Sequence, residues 1–266
     1  MGPERDTPSV IGAELSTLSY VEHHFDELLP GQPGGRAFTQ SRLPGFADCA
    51  PSGRVRLDAL ACWLQDVAYA DVADVGLEQA AVWVVRRTRM RVNRFPRFGE
   101  RFELTTFCSG LGRMWAERRT DVVPAGGSEA IVEAVSLWVH LDPERWRPMV
   151  LTEPELAVYG SAAADRKVSA RLRHPAPPAD SVGVPWTFRL IECDIADHVN
   201  NAAYWGPLEE ELLAGPDPER LDAELEYRTP SQAGAKRVLS HGDRRWIIDA
   251  DGELHASIVV RNGFGG

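Results

Sequence analysis

The chain is poor in lysine, in cysteine and in long apolar runs, and each shortage removes a class of function. Its only lysines are Lys167 and Lys236, and acidic side chains outnumber basic ones to leave a formal charge of −10. That balance argues against a dedicated nucleic-acid binder, whose affinity rests on neutralising phosphates. The four cysteines, Cys49, Cys62, Cys108 and Cys193, are widely spaced with no Cys-x-x-Cys pair, so neither a disulfide scaffold nor a zinc knuckle is expected. The seven histidines form no His-Glu-x-x-His and no paired spacing, so no metal and no other cofactor is expected. No run of about 18 apolar residues exists, so no transmembrane span is expected. The opening MGPERDTPSV carries charge where a secretory signal would be apolar, which makes the cytoplasm the expected compartment.

What is present is enough apolar material, 44% of 266 residues, for two packed units. Residues 1–35 end in the Pro/Gly cluster LLPGQPGGR and read as a partly ordered appendage, with a short helix at Leu18–Leu29. After a short strand in FTQSRLPGF, the positions Leu57, Leu60, Ala61, Leu64, Val67, Ala68 and Asp71 recur at helical spacing. The blocks WVVRRTRMRVNRF, ERFELTTFCSG, Met114–Val123 and Ala130–Leu141 then read as strands joined by tight turns. A stretch rich in Ala, Pro and charge, residues 160–183, reads as a linker. Beyond it the order repeats: a strand at Trp186–Ile191, a helix at Asn200–Leu213, then further strands with Pro230 and Gly234 at a turn. A sheet wrapped round one long helix, twice over, predicts an α+β fold. Its units are 36–159 and 184–266.

The segment Asp194-Ile-Ala-Asp-His198-Val-Asn200-Asn201-Ala-Ala-Tyr204 resembles the Asp-x-x-x-His-Val-Asn-Asn-x-x-Tyr signature of hotdog thioesterases. LDALACWLQDVAYADVADVGL, WVVRR, RFPRFGERFELTTF, SLWVHL and LEYR resemble the plant and bacterial acyl-ACP thioesterases, in order, from about Phe38 to Val260. The resemblance implies a double hotdog, two units related by a pseudo-twofold, hydrolysing fatty acyl thioesters carried on acyl carrier protein or coenzyme A. It implies Asp194 as nucleophile or general base and His198 as the residue that polarises or orients. Asn200 and Asn201, at a helix start where N–H groups are unpaired, would serve the oxyanion. Two positions depart from the plant pattern: Ala196 stands where the family has Asn, and Pro230-Ser231 where it has Glu-Cys. Glu192, two residues before Asp194, is then a stand-in carboxylate if the strand continues that far. These departures keep open a non-catalytic acyl-ligand binding module on the same fold.

Arg87, Arg89 and Arg91 alternate along one strand face and offer a docking patch for an acidic carrier protein or for coenzyme A phosphates; a solvated strand face is the plainer reading. Trp63 and Trp83 are candidates for an acyl pocket, or ordinary core aromatics. Glu209-Glu210-Glu211 reads as the solvated flank of the second helix, with Glu210 retained as a minor site candidate. Two hotdogs in one chain already make the pairing that single-hotdog proteins obtain by dimerising, so both a monomer and a homodimer of double hotdogs are compatible with the sequence.

Overall fold

The computed structural model describes residues 34–262. The expected appendage at 1–35, with its helix at Leu18–Leu29, lies outside the described residues apart from Gly34 and Gly35. The first half contributes β1 (Phe38–Arg42), α1 (Leu57–Asp74), β2 (Val82–Val92), β3 (Phe102–Leu111), β4 (Trp115–Pro124), β5 (Val132–Leu141) and α2 (Glu153–Ala163). The second contributes β6 (Val182–Phe188), α3 (Gly206–Leu213), β7 (Leu221–Tyr227), β8 (Gly234–His241), β9 (Arg244–Ile248) and β10 (Leu254–Asn262).

All ten strands form one antiparallel sheet in the order β1-β3-β4-β5-β2-β7-β10-β9-β8-β6. Advancing each label by five turns the first five strands into the last five read backwards. The sheet is therefore a palindrome about the β2–β7 pair. This is the double hotdog, and its pseudo-twofold passes between those two strands.

The helical spacing of apolar residues places Leu57, Leu60, Trp63, Leu64 and Val67 of α1 in the core, against one face of the sheet. Leu208 and Leu212 of α3 join the same core, with Tyr204 and Trp205 just before it. The second helix is shorter than expected: Asn201–Trp205 is a 3₁₀ turn, and the α-helix begins only at Gly206 with Pro207 in its first turn. Glu209 is buried rather than solvated. It takes the Leu57 N–H at 2.9 Å and pairs with Arg54 at 2.7 Å, capping α1 from the other half of the molecule.

Two further corrections concern the middle of the chain. α2 runs through residue 160, where the linker was expected to begin, and its Thr152/Glu155 capping box with Pro154 fixes the start. The stretch beyond it is no loose connection. It crosses the sheet on the face away from α1 as a strap, bridging Leu111 at Lys167 and accepting the Trp115 Nε1–H at Val168 O (2.8 Å). Farther on, the Arg173 and His174 N–H groups donate to Glu226 at 2.6 and 3.0 Å, and Trp246 Nε1 donates to Pro175 O at 2.8 Å.

Beneath the strap lie the arginines expected to face a carrier. Cross-strand register sets Arg87, Arg89 and Arg91 opposite Glu226, Glu224 and Asp222 at the twofold seam. Arg87 and Arg89 are 1% and 3% exposed, and Arg89 makes a two-pronged bond to Asp222 at 2.7 and 2.6 Å. Arg91 reaches Asp222 at 3.4 Å and Glu133 at 3.9 Å. An inner strand covered on both faces cannot offer Arg87 or Arg89 to a partner protein. The ladder joins the halves instead, since opposite charges directly across strands attract and buried unpaired ones cost several kcal/mol.

Candidate active site

The strand expected at Trp186–Ile191 ends at Phe188, and Leu190–Glu192 form a 3₁₀ turn. Glu192 is consequently off the strand. Its carboxylate accepts its own turn's Arg189 N–H at 2.5 Å and does not line the cavity described below, so it is no stand-in for a site carboxylate. After the turn a tight loop closes through the Cys193–Val199 bridge, with Asp194 N–H on His198 O at 2.9 Å and Asp197 in the left-handed region at φ 58°.

Among the described residues, only neutral donors hold Asp194. Oδ1 accepts the Ala196 N–H at 2.9 Å, and Oδ2 accepts Asn200 Nδ2 at 3.0 Å. Asn200 Oδ1 in turn takes the Ala202 N–H at 2.9 Å, capping the 3₁₀ turn, and Gln65 Nε2 at 3.0 Å. Gln65 Oε1 accepts Asn201 Nδ2 at 3.3 Å. Gln65 belongs to α1, so the first half aligns both asparagines of the second. Sequence reasoning missed it. Its signal was an amide on the helix face of Ala61 and Ala68, whose small side chains leave it room.

Asp194, Ile195, Ala196, Asn200 and Asn201 form one wall of a cavity of 540 Å³. That volume lies within the range of small-molecule sites. The other walls come from the first half, with Ala68 and Val72 of α1, Trp83 and Cys108 of the sheet and Tyr159 of α2 among them. Burial pushes the Tyr159 phenol up to about 12 and the Cys108 thiol up to about 11, so both stay neutral at physiological pH. The remaining polar wall is mostly neutralised by pairing. Arg118 pairs with Asp71 at 2.7 Å and Glu117 with Arg166, and Glu155 lies 2.8 Å from the His140 ring.

Sequence candidates divide accordingly. Trp83 lines the cavity and packs on His140, with ring centroids 4.8 Å apart. Trp63 does not: it is fully buried against Phe102 in the core. The His198 ring is half-buried, makes no hydrogen bond among the described residues and is not part of the cavity wall. Ser231 is buried, donates from Oγ to Gln232 O at 3.1 Å and also lies off the cavity, whereas its carbonyl takes the Val199 N–H at 2.8 Å. Glu210 is exposed and likewise off the wall.

With the geometry in place, comparison with known proteins is informative. Residues 38–159 match the acyl-ACP thioesterase N-terminal domain family. An uncharacterized protein of Mycobacterium tuberculosis is 28% identical over 85% of this chain and 92% of its own length. A chloroplastic acyl-[acyl-carrier-protein] hydrolase of Cuphea viscosissima is 28% identical over 66% of this chain and 43% of the plant protein. Among solved structures, an acyl-ACP thioesterase from Bacteroides thetaiotaomicron superposes with a TM-score of 0.70 at 19% identity, covering 84% of this chain and 96% of that one. The 12:0-ACP thioesterase from Umbellularia californica gives 0.67 at 19% identity, covering 85% and 97%. At such identities the structures speak for the fold alone. No helix among the described residues is long and apolar enough to cross a membrane. Residues 38–159 thus carry the acyl-ACP thioesterase N-terminal domain, and the chain is similar over two thirds of its length to a plant acyl-[acyl-carrier-protein] hydrolase.

Proposed function

We propose that this protein hydrolyses fatty acyl thioesters, presented on acyl carrier protein or on coenzyme A, at the wall formed by Asp194, Asn200 and Asn201. One observation carries the reading: Asp194 faces the cavity from the loop before the 3₁₀ turn, held by an N–H and an amide rather than by a cation among the described residues. That carboxylate shares its charge with no cation among the described residues, whereas Glu117 pairs with Arg166 and Glu155 lies 2.8 Å from the His140 ring. The acyl chain lies among Ala68, Val72, Trp83 and Tyr159. Asp194 either attacks the carbonyl carbon or takes a proton from a water that does. The tetrahedral oxyanion draws on the Asn201 N–H and the Asn200 and Asn201 side-chain amides. Its collapse breaks the C–S bond and expels the carrier thiolate, which takes up the proton given by the attacking water or by solvent. Where Asp194 attacked, water then cleaves the mixed anhydride to free the fatty acid and the carboxylate. His198 acts through the backbone of its loop, whose carbonyl fixes the Asp194 N–H.

The test is thiol release from a panel of acyl-ACP and acyl-CoA substrates by the parent and by Asp194→Asn. Release by the parent, with loss in the variant, supports the reading. Parent chain that binds acyl thioesters without releasing thiol is a binding module, the reading that Ala196 and Pro230 favour.

A further inference from the structure

Outside the cavity, the β9–β10 turn gathers three side chains with metal-ligand chemistry. The ligating atoms of Asp249, Glu253 and His255 all lie within 4.8 Å of one another. His255 is 4% exposed, and its Nδ1 sits 3.2 Å from Thr229 O. A carbonyl only accepts, so Nδ1 carries a proton and Nε2 is the ring atom left to meet a ligand. That Nε2 is buried and has no hydrogen-bond partner. It faces Asp249 Oδ2 at 3.6 Å. The gap is too long for a hydrogen bond. It is close to the ~3.3 Å between two atoms that share one tetrahedral cation at bonds of ~2.0–2.1 Å.

The surroundings favour the same occupant. Asp249 Oδ1 accepts the N–H groups of Asp251 and Glu253 at 3.0 and 2.8 Å, which fixes the carboxylate. The Nδ1–H on a backbone carbonyl is the arrangement that orients a metal-binding imidazole. Glu253 is exposed and leaves a path for an ion. The His255 ring and Lys236 already attract the Asp249 carboxylate, and a cation must compete with both. The second cluster of this kind, His174 with Glu224 and Glu226, is a different case. Both its ring nitrogens lie near partners, Ser257 at 3.0 Å and Glu224 at 3.1 Å, and Arg261 shares Glu224.

We propose that Asp249, Glu253 and His255 bind one divalent transition-metal cation of the zinc class, with water completing the coordination. The proposal departs from the sequence expectation of no metal, because carboxylates six and two residues before one histidine match no Cys/His motif. The ion braces the segment after β7. Thr229 leads into Ser231, whose carbonyl secures Val199, and Gln232 Nε2 donates to Asp197 O at 2.9 Å, so the brace reaches the Asp194 loop.

The experiment uses chelator-treated full-length chain with zinc chloride alone, by calorimetric titration and thermal melting, and does not depend on any hydrolytic activity. One zinc per chain and a saturable rise in Tm are expected. Glu253→Gln, at an exposed position, should keep the metal-free Tm yet bind at least about tenfold more weakly, the lower end of the loss seen for groups that merely support a metal ligand. Asp249→Asn should behave alike in titration. No saturable uptake by the parent, or uptake unchanged in both variants, overturns the site. So does nitrogen NMR showing His255 doubly protonated near neutral pH without zinc uptake, which would make the cluster a His–Asp ion pair.

Discussion

The loops Cys49–Val55 and Cys193–Val199 are the same structure used for two purposes. Each follows a 3₁₀ turn, closes through an antiparallel Cys–Val bridge and has a left-handed residue before its fifth position's successor, Gly53 at φ 83° and Asp197 at φ 58°. Their backbone bonds correspond one to one: Ala50 N–H to Arg54 O matches Asp194 N–H to His198 O, and Arg56 N–H to Asp48 O matches Asn200 N–H to Glu192 O. The side chains diverge. Ala50 stands for Asp194, and Arg54 for His198. Arg54 is fully buried over Phe95 and pairs with Glu209 at 2.7 Å and Asp217 at 3.1 Å, clamping the halves together. The duplicated frame thus lets one copy supply cohesion while the other keeps its carboxylate open to a cavity.

Substitutions can break this division of labour. The largest effect is expected of Asp194→Asn, which should lower kcat by ~10²–10⁴, the range for losing a general base. Thiol release measures it, with Tm as the control. A rate above about a third of the parent's would remove Asp194 from the chemistry. Next comes Arg54→Met, which strands Glu209 in the core and should cost about 3–5 kcal/mol in urea unfolding. His198→Ala, at the matching position, should stay within about 0.5 kcal/mol, since its ring bonds to nothing among the described residues. Equal costs at the two positions would deny the division.

A smaller effect is expected of Gln65→Leu. One hydrogen bond is worth about 0.5–1.5 kcal/mol net, so kcat should fall roughly two- to tenfold with Tm nearly unchanged. A pure rise in KM would mean that Gln65 touches substrate instead of aligning Asn200. Smallest is Ala196→Asn, which should leave kcat unchanged or raise it, because the amide of the plant pattern returns beside Asp194. A tenfold loss would show that the loop has no room for it.

The repeat, α1 and the Asp194 loop were legible because each is written in local spacing: apolar residues at helical period, and a carboxylate four residues before a histidine. α2 was equally local, in the Thr152-Glu-Pro-Glu155 cap, and was overlooked beside the Ala/Pro-rich text that follows. What could not be read was partnership at a distance. Alternation showed that Arg87, Arg89 and Arg91 share a face, but their carboxylates lie on β7, more than a hundred residues away. Gln65 meets Asn200 across a comparable separation. Nor does a run of Ala, Pro and charge reveal that it will be laid across a sheet.

The ladder at the seam also constrains how such a chain can have arisen and what it can do in pieces. Two copies of the first half, paired symmetrically through β2, would set arginine against arginine where the present seam sets arginine against carboxylate. Like charges directly opposite on neighbouring strands repel. The duplicated unit has in this way lost the means to return to a symmetric pair: each half now carries the counter-charge of the other, and fusion into one polypeptide has become a one-way step.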